Sequence, residues 1–183
     1  MWCFNMKNNS AYHHTFQNLQ ENGLSFEQVF ERIVSFMSFN PKGNYRLMVG
    51  TDSQVHKSQT VFITGIVIQN EGTGVWACIR KVVVPRKMTQ LHERISLELS
   101  LTEEIVAMFT EERKNQLIAI VLPYLYEGST FAMEGHIDIG AGKRNKTREF
   151  VKEMVTRMES MGVEPKIKPD AFVASSYANR YTK

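Results

Sequence analysis

A chain of 183 residues, 43% hydrophobic and 22% charged, can bury one sizeable core and is too balanced for a disordered or fibrous protein. A net charge of +3 tolerates a nucleic-acid partner without demanding one. No apolar run approaches the length of a membrane span, MWCFNMKNNS lacks the apolar stretch of a signal peptide, and Cys3 and Cys78 have no metal-type spacing, so the expectation is a soluble protein of the reducing cytoplasm.

Residues 1–24 are polar and aperiodic and are expected to be a poorly ordered lead-in to a single domain over 25–183. His13 and His14 there read as incidental. Ser25, Phe26, Glu27 and Gln28 form a capping-box pattern, opening a helix with Phe26, Val29, Phe30, Ile33, Val34 and Met37 on its apolar face. Three strand-like runs follow, Tyr45–Asp52, Thr60–Gln69 and Val75–Val84, joined by short connections at Ser53–Gln59 and Asn70–Gly74, and so predict an antiparallel meander. From about Thr89 to Arg113 the period is helical. Asn115–Tyr126 is apolar, is interrupted by Pro123, and reads equally as a broken helix or a strand. Phe131–Ile139 is a strand, a helix opens at Asn145 or Thr147, Gly162 stops it, Val163–Lys168 is a short strand and Asp170–Asn179 a closing helix.

This order predicts an α/β fold, a mixed sheet with helices on its faces. A right-handed crossover sets the fourth strand parallel to the first and beside it. Asp52 in RLMVGTDSQ and Asp138 in HIDIG then lie at neighbouring strand ends, each on a defined face because side chains alternate. Taken singly, either acid is as readily a turn former. Glu98 adds weight: on a helical wheel it falls inside the apolar arc of Leu91, Ile95, Leu99, Ile105 and Phe109, and a buried carboxylate needs a partner. That partner is a metal ion shared with Asp52 and Asp138, or else a salt bridge. Asp170 either caps the closing helix or completes the cleft. Carboxylates without a His/Cys cluster suit Mg²⁺ or Mn²⁺, and such sites commonly run phosphodiester hydrolysis. His136 shares a face with Asp138 and is a candidate proton carrier or substrate contact, although a strand-end histidine is more often structural. Lys143, Arg144, Lys146 and Arg148 lead into a helix start, a combination that suits phosphates but that a solvated charge run also explains. Gly142 and Lys143 lack the spacing of a Walker loop, and neither a dinucleotide fingerprint nor a nucleophile elbow is present.

Four segments, VGTDSQVH (49–56), LHERISLELSLTEE (91–104), GHIDIG with NKTREF (135–150) and KIKPDAFVASSYANRYTK (166–183), resemble the bacterial YkuK-like family of the ribonuclease H-like superfamily. The resemblance covers roughly Ser25 to the C-terminus. It implies a five-stranded mixed sheet with helices on both faces, plus the N-terminal helix, and two-metal hydrolysis of nucleic-acid phosphodiesters. By position, Asp52 is then the first-strand ligand, Glu98 the helix acid, Asp138 the fourth-strand acid and Asp170 the best match for a fourth; Glu93 is the runner-up on the helix. The expected function is a divalent-metal-dependent nuclease acting on RNA, DNA or their hybrid. The alternative is a non-catalytic module that binds nucleic acid or protein with the same fold. A phosphotransferase or ATPase of actin-like build lacks its second related half.

Overall fold

The structure, a computed structural model, describes residues 15–142 and 146–182. Its sheet is centred on a strand with apolar residues on both faces. That strand, β2 (Asn44–Val55), buries Leu47, Met48 and Val49 in succession, the pattern of a strand covered on both sides. It pairs antiparallel with β3 (Thr60–Asn70), and β3 with β4 (Gly74–Val84), so the predicted meander forms. The connections are the expected short ones: His56 N–H donates to Gln59 O at 2.8 Å, and Thr73 N–H to Asn70 O at 3.1 Å, with Gly72 at φ 78° where a left-handed residue is required.

On its other edge β2 pairs in parallel with β5 (Thr130–Gly140), and β5 in parallel with β6 (Glu164–Lys168). The predicted adjacency of the first and fourth strands of the meander-plus-crossover pattern is therefore present. A sixth strand, β1 (Phe16–Gln17), pairs with Ile79 and Arg80 of β4, giving the order β1-β4-β3-β2-β5-β6. This corrects two expectations. The sheet has six strands rather than five, and the end of the 1–24 lead-in belongs to the fold: Phe16 and Leu24 are buried and exchange backbone hydrogen bonds. Two apolar residues in a polar stretch carry no period, so pattern reading passes over them.

One face of the sheet carries α1 (Phe26–Phe39), α2 (Leu91–Met108), α3 (Glu111–Val121) and α4 (Val151–Glu159), which share one core with Leu47, Val49, Ile66 and Ile68. The capping box forms as read: Ser25 Oγ accepts from Gln28 N–H at 3.2 Å and Gln28 Oε1 from Ser25 N–H at 2.9 Å. The long helix predicted to Arg113 ends at Met108. Thr110 caps a new helix by accepting from Arg113 N–H at 3.4 Å, so the undecided 115–126 segment is helix to Val121 and a 3₁₀ turn from Leu122 to Glu127. The helix after the basic stretch likewise begins with a 3₁₀ turn, Arg148–Phe150, before α4.

The opposite face is covered by the C-terminal segment, a π-helical stretch Val173–Ala178 followed by α5 (Asn179–Thr182), where a regular closing helix over 170–179 was expected. Val173 packs on Met48 and Val67, and Ala178 on Val61, Ile63 and Ile79. Gly50 and Gly65, paired across β2 and β3, make this close approach possible. A Cβ on Gly50 would lie 2.9 Å from His136 Cβ and from His136 O, and 3.0 Å from Ala174 N; on Gly65 it would meet Tyr177 and Val173 side chains at 2.8 and 2.9 Å. Gly50 meets backbone atoms that cannot swing aside. Gly50→Ala is therefore expected to destabilise the fold by roughly 1–3 kcal/mol in urea denaturation; a change under about 0.5 kcal/mol would show that the C-terminal segment is not seated this closely on β2.

Candidate active site at the carboxylate edge

β2 and β5 run in register from Asn44 opposite Thr130 to Thr51 opposite Ile137. Asp52 and Asp138 are the next residue on each strand, and alternation places both on the face of Gly50 and His136, toward the C-terminal segment. Thr51 and Ser53 turn the other way, toward α2. There Thr51 Oγ1 lies 2.9 Å from Thr64 Oγ1 and 2.8 Å from Thr102 Oγ1, and Ser53 Oγ donates to Glu98 Oε1 at 2.5 Å. Glu98 thus reaches the same strand end from the opposite layer of the fold.

The wheel reading of Glu98 holds as geometry, since the residue is 7% exposed. Its partners among the described residues are the Ser53 hydroxyl and, at 3.9 Å, the Arg94 guanidinium one turn earlier. Burial raises its carboxyl to about pKa 8; the Ser53 hydrogen bond and Arg94 oppose the shift, and the charges of Asp52 and Asp138 add to it. Glu98 therefore feels both strand-end acids. Glu93, the alternative helix acid, points to Arg86 instead and pairs with it at 2.5 Å.

Asp138 is held on one side only. Its Oδ2 is 3.1 Å from Lys168 Nζ, while its Oδ1 is buried without a hydrogen-bond partner among the described residues. Asp170 is exposed and lies in a turn, its backbone N–H donating to Ile167 O at 2.8 Å and its carbonyl accepting from Phe172 N–H at 2.9 Å. It caps no α-helix, because the chain enters the π-helical stretch instead. Lys146 and Arg148 are exposed just beyond the end of β5; Lys143 and Arg144 lie outside the described residues.

His136 departs from its expected role. Its ring is fully enclosed, with Nδ1 accepting from Val173 N–H at 3.0 Å and Nε2 2.9 Å from Glu134 Oε2. An Nδ1 that accepts leaves the proton on Nε2, which donates to Glu134. Both nitrogens are engaged inside the fold, so no free imidazole faces the cleft. Glu134 in turn accepts two hydrogen bonds from Arg46 at 2.8 and 2.7 Å. Burial alone would raise the Glu134 carboxyl, but the bonds from His136 and Arg46 outweigh it and hold it near pKa 2.

Among the described residues no three His, Cys, Asp or Glu side chains stand close enough to hold one metal ion. The expected ligand set is therefore assembled only in part. Asp52 and Asp138 meet the chemistry of a hard cation, because both are strand-end carboxylates and Asp138 Oδ1 is a buried acceptor without a partner among the described residues. Glu98 does not as it stands, being bonded to Ser53. The residues that sequence reasoning passed over are Ser53, Arg94 and Lys168. Arg94 had a usable signal, its i,i+4 spacing to Glu98; Lys168 had none, since its neighbour is set by β6 joining β5. A shallow cavity of about 400 Å³ beside Lys42 and Glu127 lies at the opposite ends of β2 and β5 and takes no part in this edge.

The Glu98 shift carries a stability consequence. The folded protein keeps this proton up to about pH 8, whereas an unfolded chain releases it near 4.5. Its contribution is fully present below about pH 4.5 and is lost as pH rises through 8. Glu98→Gln mimics the protonated acid and cannot ionise. It should match wild-type stability at pH 4.5 and gain on it by on the order of 1 kcal/mol per pH unit toward pH 8. Parallel denaturation curves across that range would exclude a buried proton on Glu98.

The ribonuclease H-like family profile matches residues 28–183. The chain is also similar to "Uncharacterized protein YkuK" of Bacillus subtilis (strain 168), with 40% identity over 168 residues that span 92% of this chain and 96% of that protein. No solved structure matches. With the mixed sheet, the crossover that sets β5 against β2 and acids at both strand ends, the match over most of the length places the chain: it belongs to the ribonuclease H-like family, as a YkuK-like member.

Proposed function

We infer that this chain acts on nucleic acid as a divalent-metal-dependent nuclease, with the carboxylate edge of β2 and β5 as its reaction site. The observation that carries the reading is Asp138, whose buried Oδ1 has no hydrogen-bond partner among the described residues, on a strand registered against the one that carries Asp52. A buried carboxylate oxygen without a donor is costly unless a ligand completes it. Asp52 and Asp138 would hold a Mg²⁺ or Mn²⁺ ion, and Glu98 would join them only by leaving Ser53. When bound, such an ion activates water and stabilises the leaving oxygen of a phosphodiester. Asp170 stays a candidate for a fourth, exposed acid, while Lys146 and Arg148 beyond β5 are suited to backbone phosphates.

A second reading is favoured by the partners the acids already have. Glu98 on Ser53 and Asp138 on Lys168 describe a stable edge without any ion, which suits a module that holds nucleic acid and does not cut it. Incubation of the purified protein with RNA–DNA hybrid, single-stranded RNA and DNA, with Mg²⁺ or Mn²⁺, separates the two. The nuclease reading expects cleavage that falls by more than about a hundredfold in Asp52→Asn and Asp138→Asn. Cleavage insensitive to both substitutions would overturn it, and binding without cleavage would leave the second reading.

A further inference from the structure

Phosphodiesters and carboxylates are both anions, so an acidic edge that receives a nucleic-acid backbone needs positive groups beside it. Six of the described arginines are committed elsewhere. Arg32, Arg46, Arg80, Arg86, Arg113 and Arg157 each close on a carboxylate at 2.5 to 2.7 Å. Arg94 stops 3.9 Å short of Glu98; its Nε is buried without a hydrogen-bond partner among the described residues, and its side chain stays 31% exposed. Arg80 also leaves Nε unbonded, but its Nη atoms bond Glu104 and the Leu101 carbonyl. Among the described residues the Arg94 guanidinium donates no hydrogen bond, an unusual state for a group with five donors.

Lys168 stands beside Asp138. Among the described residues its Nζ makes a single 3.1 Å contact, with Asp138, and its side chain is 45% exposed, leaving donors free for a ligand. The two cations are linked through the acids they flank, since Arg94 approaches Glu98 and Glu98 feels the charge of Asp138.

We propose that Arg94 and Lys168 form a phosphate clamp across the carboxylate edge, binding non-bridging oxygens of a nucleic-acid backbone from the α2 side and the β6 side. The planar fork of Arg94 supplies directed hydrogen bonds and Lys168 a mobile point charge. The clamp rests on the reading of this edge as the phosphodiester site, but it needs no metal to bind. It adds two contacts to those of the basic stretch after β5, and it gives the clamp residues a role in binding rather than in the bond-breaking step.

Binding is measured in EDTA with fluorescein-labelled single-stranded RNA and RNA–DNA hybrid over a series of salt concentrations, using wild type, Arg94→Gln, Lys168→Gln and the distant surface variant Arg32→Gln. Thermal unfolding checks that each variant folds. Arg94→Gln and Lys168→Gln are each expected to weaken binding about tenfold and to reduce the slope of log affinity against log salt by about one, while Arg32→Gln leaves both unchanged. If Arg94→Gln binds like Arg32→Gln, or wild type binds neither probe, the clamp is wrong. Cleavage is scored separately with Mg²⁺ or Mn²⁺. Cleavage with an unchanged salt slope overturns the clamp alone; a reduced slope in a protein that never cleaves supports the clamp and overturns the nuclease reading.

Discussion

The parallel pairing of β2 with β5 is the constraint from which the rest of the molecule follows. β2 is hydrogen-bonded on both edges, antiparallel to β3 and parallel to β5, so it cannot slide without breaking two ladders. A slip of one residue would turn Leu47 and Val49 out of the helical core and exchange Asp52 for its neighbours. The register that buries the core is therefore also the register that brings Asp52 and Asp138 to one end. Packing energy fixes the acids in place, and no interaction between the acids themselves is needed to do so.

The two faces of β2 then divide the labour. Toward α2, Thr51 and Ser53 meet Thr102 and Glu98, which lets a carboxylate lie among apolar side chains with a hydroxyl donor. Toward the C-terminal segment, the Gly50–Gly65 pair opens room for Ala174 and Tyr177, and His136 accepts from Val173 N–H. A buried chain runs from Arg46 through Glu134 to His136 and on to that backbone, and each member is satisfied by the next, as buried polar networks require. This network ends two residues before Asp138. The members of that network are paired with one another, whereas among the described residues Asp138 Oδ1 and Arg94 Nε at the edge have no hydrogen-bond partner.

Several elements were legible because their signals are local. The capping box at Ser25, the meander and its turns, and the inward face of Glu98 all follow from periodicity and spacing, and each is present. The short strand at Phe16 was not legible, because two residues carry no period and their burial depends on β4 offering an edge. The break at Thr110 was missed because the residues after it, EERK, favour helix and read as its continuation. The π-helical turn at Val173 was missed because the glycine pair that seats it lies on distant strands.

The sequence by itself determined the class of fold, the order of its elements and which acids lie at strand ends or on an inward helix face, since each of these depends on residues a few positions apart. Only the tertiary structure decided what those acids touch. Glu98 meets Ser53, Asp138 meets Lys168, and His136 turns into the core rather than the cleft, because each contact joins residues 30 or more positions apart through strand register and helix docking. Side-chain alternation names a face, but the partner on that face is chosen by whichever element packs against it.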